Sequence, residues 1–198
     1  MAVTITDDAE RIEPIVLVGG KSTRFGRDKL REPVGGGAWL VDRPIAALRE
    51  VFGAHVAMVG ECDGEVARRG DKVIADRYPG VGPIGGIVSA LEAGEEEGWG
   101  GVFVLAGDLV RIGAGEVRAI LEVARKEAGA WAVLGETDQV EACIGVYRVG
   151  ALSVLKERIA AGNFRLHEAI PVGKRILVQV DATAAGNVNR VEDLRGRE

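Results

Sequence analysis

The stretch Ile15-Val16-Leu17-Val18-Gly19-Gly20-Lys21-Ser22-Thr23-Arg24-Phe25-Gly26-Arg27-Asp28-Lys29 organises the reading of this chain. Four consecutive aliphatic residues after Pro14 predict a strand buried on both faces, and they run without a polar break into a glycine-rich segment. That pattern is a strand delivering a loop. Gly19 and Gly20 lack a Cβ, so the backbone there can turn sharply and present its amide N–H groups to an anion, while Lys21, Arg24 and Lys29 add full positive charges. A polyphosphate is the expected guest. Neither the complete Walker pattern nor the Gly-x-Gly-x-x-Gly dinucleotide fingerprint occurs in this first loop.

Outward from this loop, strand and helix patterns alternate. Residues 1–13 have no usable periodicity and are read as a flexible N-terminal segment ahead of a single domain over 14–198. Leu40, Pro44, Ile45, Leu48, Val51 and Phe52 recur at helical spacing, followed by strands over His55–Gly60 and Val73–Asp76 with a helix-compatible stretch, Asp63–Arg69, between them. A second loop rich in glycine and proline, residues 76–86, precedes a helix through Ile84, Ile87, Val88 and Leu91 that ends on a solvated Glu95-Glu96-Glu97 run. Glycines at the start of that helix are expected to allow close approach by a ligand.

Val102–Ala106 predicts a buried strand ending on Gly107-Asp108, and a carboxylate just past the carboxyl end of a central strand is where open α/β sheets place ligand chemistry. Val117, Ile120, Leu121 and Ala124 mark the next helix, and Trp131–Leu134 and Ala142–Tyr147 two further strands. A helix through Leu152, Leu155 and Ile159 ends at Gly162, with a short second one offered by Asn163–Ala169. Ile176–Val180 is the last strand, and residues 186–194 pair Asn187 and Asn189 in a loop with a final helical turn. The expected architecture is a three-layer α/β/α sandwich around a mostly parallel, Rossmann-like sheet.

Composition narrows the function. A chain of 198 residues, 47% hydrophobic, is long enough for a full core, and a formal charge of −5 argues against a nucleic-acid-coating protein. There is no run of 18 apolar residues, and Met1–Glu13 is polar and acidic where a signal peptide is basic and then apolar, so a cytoplasmic protein without a membrane partner is expected. Cys62 and Cys143 lie apart without Cys-x-x-Cys spacing, and His55 and His167 are isolated, so neither pair suggests a disulfide or a zinc site.

The string Gly19-Gly20-x-Ser22-x-Arg24-Phe25-Gly26-x-Asp28-Lys29 resembles the signature loop of nucleotidyltransferases of the molybdenum cofactor guanylyltransferase type. The resemblance continues in order through Val73–Asp76, Gly82-Pro83-Ile84-Gly85-Gly86, Gly107-Asp108 and Asn187–Leu194. It implies that Leu17, Val18, Gly19, Gly20, Lys29, Asp76, Gly82, Pro83 and Gly85 lie at the nucleotide site, with Asn187 and Asn189 as further cofactor-binding residues. Asp108 would hold Mg²⁺, and Arg24, Lys29 and Asp108 would serve catalysis. Two departures stand out: Gly107-Asp108-Leu109-Val110 lacks the proline usual after the metal-binding Asp, and Val59-Gly60-Glu61 stands where many relatives hold an asparagine.

The implied activity is transfer of GMP from GTP to the phosphate of molybdenum-bound molybdopterin, with molybdoenzymes or other cofactor-biosynthesis proteins as partners. Attack on an α-phosphorus builds charge that fixed cations, loop amides and Mg²⁺ stabilise, and an ionised phosphate acceptor needs no general base. Two alternatives remain: another nucleotidyltransferase of the same fold with a different NTP or acceptor, and a nucleotide-binding regulatory or adaptor protein without turnover.

Overall fold

The aliphatic run forms the first strand, β1 (Ile12–Leu17), inside a seven-stranded sheet. A computed structural model describes residues 11–19, 29–53 and 55–186. The other strands are β2 (Ala57–Val59), β3 (Lys72–Ile74), β4 (Gly101–Ala106), β5 (Ala132–Glu136), β6 (Val140–Arg148) and β7 (Arg175–Gln179). Their order across the sheet is β3-β2-β1-β4-β6-β5-β7. β1 to β4 are mutually parallel, β6 runs against both of its neighbours, and β7 is parallel to β5. The sheet is therefore mostly parallel, with one reversed strand.

Helices cover both faces, as strands buried on both sides require. On one face lie α1 (Asp42–Phe52), the short α2 (Gly64–Ala67) and α4 (Ala114–Lys126), packed on Val16, Met58, Phe103 and Leu105. On the other lie α3 (Pro83–Glu96) and α5 (Leu152–Ala160), packed on Ile15, Ala57, Val59, Val102 and Val104. Successive strand residues thus feed opposite cores, and this is the three-layer α/β/α sandwich the sequence predicts. No helix among the described residues is long and apolar enough to cross a membrane.

Several boundaries differ from the sequence expectation. β1 begins at Ile12, so Ile12 and Glu13 belong to the sheet and not to a loose N-terminal segment: Ile12 pairs with Gly101 and Glu13 with Val102, and the buried Glu13 carboxylate is met by Arg11 at 3.3 Å. Pro14 lacks an N–H, and it sits where only β4 flanks the strand, because pairing with β2 starts at Ile15. α1 starts at Asp42, whose carboxylate accepts from the Trp39 N–H at 2.8 Å, so Leu40 and Val41 are buried in the turn before the helix. The proposed helix over 163–169 is a single 3-10 turn, Leu166–Glu168. The final helical turn expected within 186–194 falls outside the described residues beyond Gly186.

One polar cluster ties α3, α5 and the second loop together. Glu92 on α3 accepts from the Tyr78 hydroxyl and the Lys156 ammonium, each at 2.8 Å, and Arg77 stands 3.4 Å from its second oxygen. Burial alone raises the Glu92 carboxyl, but the bonds from Lys156 and Tyr78 outweigh it and hold the group below its ordinary value. A depressed folded-state value contributes stability above the unfolded value of 4.5 and loses it as pH falls through the folded value. Glu92→Gln is expected to lower the melting temperature at pH 7, with the gap to the parent chain closing as melts are taken down through pH 4 to pH 3. A gap that stays constant over that range would remove Glu92 as the titrating group.

Candidate active site

The carboxyl ends of β1 to β4 all point to one edge of the sheet, and the loops that leave them make the site. At β1 the backbone is tied on both sides. The Leu17 carbonyl accepts from Gly107 N–H at 2.9 Å, and Val18 donates to the Val59 carbonyl at 2.9 Å. Gly19 then crosses Gly60, the first residue after β2. A Cβ on Gly60 would lie 2.6 Å from Gly19 N and 2.7 Å from Gly19 Cα, and Gly60 has φ +113°. Only glycine meets both conditions. Gly60→Ala should therefore cost about 1–3 kcal/mol, a fall of roughly 2–12 °C in melting temperature for a chain of this size. An unchanged melt would show that the two loops do not meet this closely.

Gly20 and Arg24 of the signature loop lie outside the described residues, as do Asn187 and Asn189. The chain is described again from Lys29, in a 3-10 turn Lys29–Arg31. Leu30 is buried and anchors that turn, with its side chain 3.1 Å from the place where a Gly107 Cβ would stand. The missing side chain at Gly107 thus makes room for Leu30. The packing brings Lys29 to Asp108, with Nζ 2.5 Å from Oδ2, and these residues are 79 positions apart in the chain. Leu109 and Ile112 are buried just beyond, so apolar anchors hold this turn.

Asp76 stands at the same edge, two residues past β3. Its Oδ1 accepts from Tyr78 N–H at 2.9 Å and lies 3.3 Å from the Ser89 hydroxyl. Ser89 is fully buried, accepts from Arg77 N–H at 2.9 Å and donates toward the Gly85 carbonyl at 2.8 Å. Asp76 is thereby a turn former joined to α3, and the described hydrogen bonds link it to that helix and not to the Lys29–Asp108 pair. Pro83 opens α3, and Gly82 precedes it at φ +80° with nothing within 4 Å of its open side.

The expectation that the glycines following Pro83 leave room for a ligand needs correction. A Cβ on Gly85 would lie 2.6 Å from the Tyr78 carbonyl, and one on Gly86 3.0 Å from the Leu17 side chain. These two positions are small so that α3 can press against its own loop and β1. Gly82 alone of the three keeps an open side.

Sequence reasoning missed four participants: Gly60, Leu30, Ser89 and Cys143. Cys143 belongs to no motif in the sequence, but the reversal of β6 sets the first half of that strand beside the end of β4. Burial, followed by the Asp108 and Glu141 carboxylates, pushes the Cys143 thiol up to about 12, so it stays protonated at neutral pH and is no nucleophile. Only the direction of β6 could have signalled its place. His167 lies 3.4 Å from Glu168, its immediate neighbour in the chain.

No group of three or more His, Cys, Asp or Glu side chains among the described residues could by itself hold a metal. Mg²⁺ does not require such a group, because it takes oxygen ligands and commonly only one or two carboxylates, with phosphate oxygens and water completing its shell. Asp108, a carboxylate with its side chain 16% exposed at the sheet edge, fits that chemistry.

The model of the MobA-like NTP transferase domain matches residues 14–172. A relative from Opitutus terrae, bearing the name "Probable molybdenum cofactor guanylyltransferase", is 29% identical over 198 residues and covers 96% of each chain. Among solved structures, an Aquifex aeolicus protein superposes with a TM-score of 0.73 at 26% identity, covering 91% of this chain and 94% of its own. Molybdopterin-guanine dinucleotide biosynthesis protein A of Archaeoglobus fulgidus superposes with a TM-score of 0.70 over 93% and 95%, and at 22% identity it speaks to the fold alone.

Proposed function

We propose, from the premise that this chain belongs to the MobA-like NTP transferase family and is a nucleotidyltransferase, that it transfers GMP from GTP to the phosphate of molybdenum-bound molybdopterin. The observation that carries the reading furthest is the meeting of Lys29 with Asp108 at the carboxyl end of β4, beside the tied Leu17–Gly19 backbone. A cation and a carboxylate beside a glycine-bearing loop suit a triphosphate.

The reaction follows from charge and position. An oxygen of the acceptor phosphate attacks the α-phosphorus, the new P–O bond forms as the bond to the β-phosphate bridge breaks, and pyrophosphate departs with the electron pair. Lys29 would sit against phosphate oxygens where negative charge grows, and the resemblance gives Arg24 the same duty. The Leu17-Val18-Gly19 backbone would orient the nucleotide, with its register fixed by the bonds to Val59 and Gly107. Asp108 would hold Mg²⁺, which when bound neutralises the triphosphate and the leaving pyrophosphate. Asp76, Gly82 and Pro83 would border the nucleoside, and the resemblance gives Asn187 and Asn189 a cofactor-binding role.

Guanine is the base favoured by the signature loop and by the Gly82-Pro83-Ile84-Gly85-Gly86 segment. A ligand that binds only the native state raises its stability by mass action, so GTP with Mg²⁺ should raise the melting temperature more than CTP or ATP does. Equal shifts for all three would remove the guanine assignment while leaving the transferase family intact.

A further inference from the structure

We propose that Lys29 and Asp108 form a latch that admits the divalent cation only together with the triphosphate. The inference rests on the reading of Asp108 as the cation's carboxylate, and it concerns the protein before either ligand arrives. Lys29 Nζ stands 2.5 Å from Asp108 Oδ2, with the two side chains only 25% and 16% exposed. Neither is free to wander, because the residue after each is an apolar anchor: Leu30 is buried against Gly107, and Leu109 is buried in the core.

A charge-assisted bond of this kind satisfies the carboxylate as a metal would. A hydrated divalent cation approaching Asp108 meets a positive charge already in place, and it must displace that charge or share the oxygen with it. Lys29 leaves most readily for another anion. A triphosphate offers several ionised oxygens at the same turn, so the ammonium exchanges one anionic partner for another and frees Asp108 for a cation carried on those phosphates. Linkage makes the effect reciprocal, so the cation strengthens triphosphate binding by the same factor as the triphosphate strengthens cation binding.

Mn²⁺ serves as the probe, with free Mn²⁺ counted by electron paramagnetic resonance in nucleotide-free protein. Lys29→Met should bind Mn²⁺ at least ~10-fold more tightly than the parent chain, because the competing charge is gone. Arg31→Met removes an equal charge two residues away, from a side chain paired with Asp63 and Glu65, and should change Mn²⁺ affinity less than about twofold, as expected for a screened exposed charge. Should Lys29→Met fail to give a cooperative melt, Lys29→Gln makes the same comparison. No gain in either Lys29 variant, or an equal gain in Arg31→Met, overturns the latch. Adding Asp108→Asn to Lys29→Met should abolish the gained site. If the site survives that change, the cation does not sit on Asp108, and the functional reading of that residue falls with the latch. If instead GTP drives Mn²⁺ uptake that Asp108→Asn abolishes, while Lys29→Met gains nothing, only the latch is lost.

Discussion

Asp108→Asn is expected to reduce pyrophosphate release from GTP by at least ~10²-fold, with little change in melting temperature. The substitution keeps the size of the side chain and an oxygen that can still accept from Lys29, but it removes the charge a divalent cation requires. The amide oxygen can still accept from Lys29, so losing the charge of this part-buried pair should cost about 1 kcal/mol, roughly 2–4 °C in the melt. Leu109 and Ile112 remain to hold the turn. Near-normal turnover would shift the cation to another carboxylate, with Asp76 the next candidate, and Asp76→Asn would then be the variant to assay.

Lys29→Ala and Arg24→Ala should each cripple GMP transfer, while Lys21→Ala should leave most of it. Lys29 and Arg24 occupy positions the signature pattern fixes, and Lys21 occupies one it leaves open. Removing a donor aimed at developing transition-state charge costs on the order of 3–4 kcal/mol, or ~10²–10³ in rate, whereas a solvated charge contributes only a weak, screened field. Steady-state rates at saturating GTP, with folding checked by thermal melts, separate the three. If Lys21→Ala proves as damaging as Lys29→Ala, the roles assigned by resemblance along this loop are wrong.

Much of the fold was legible because its central strands announce themselves. Ile15, Val16 and Val102–Leu105 are buried on both faces, and a continuous aliphatic run is the mark of such a strand. The helices α1, α3 and α4 followed from three- and four-residue spacing. The ends of β1 and α1 were less legible, because they depend on partners distant in the sequence. Glu13 enters the sheet only because Arg11 and the β4 register accept it, and no local pattern advertises that. The reversal of β6 was likewise hidden, since a buried strand carries no mark of its direction.

At the site, the sequence offered Lys29 and Asp108 as separate candidates. Their meeting depends on β1 lying next to β4 and on Leu30 filling the space left open by Gly107. Neither condition is written within a few residues of the other. Gly85 and Gly86 misled in the opposite sense: two glycines in a loop read as room for a ligand, whereas their open sides are taken by Tyr78, Val81 and Leu17. Glycine marks close approach, and the sequence does not say whose.

The proposed reaction makes a guanine dinucleotide and pyrophosphate in equal amounts. Incubating the protein with Mg²⁺, GTP and molybdenum-bound molybdopterin, and following both products by mass spectrometry, tests this most directly. The expected result is one pyrophosphate for each dinucleotide formed, with GTP preferred over CTP and ATP and with both products lost in Asp108→Asn. Absence of the dinucleotide while GTP still binds, or equal product from CTP, would contradict it.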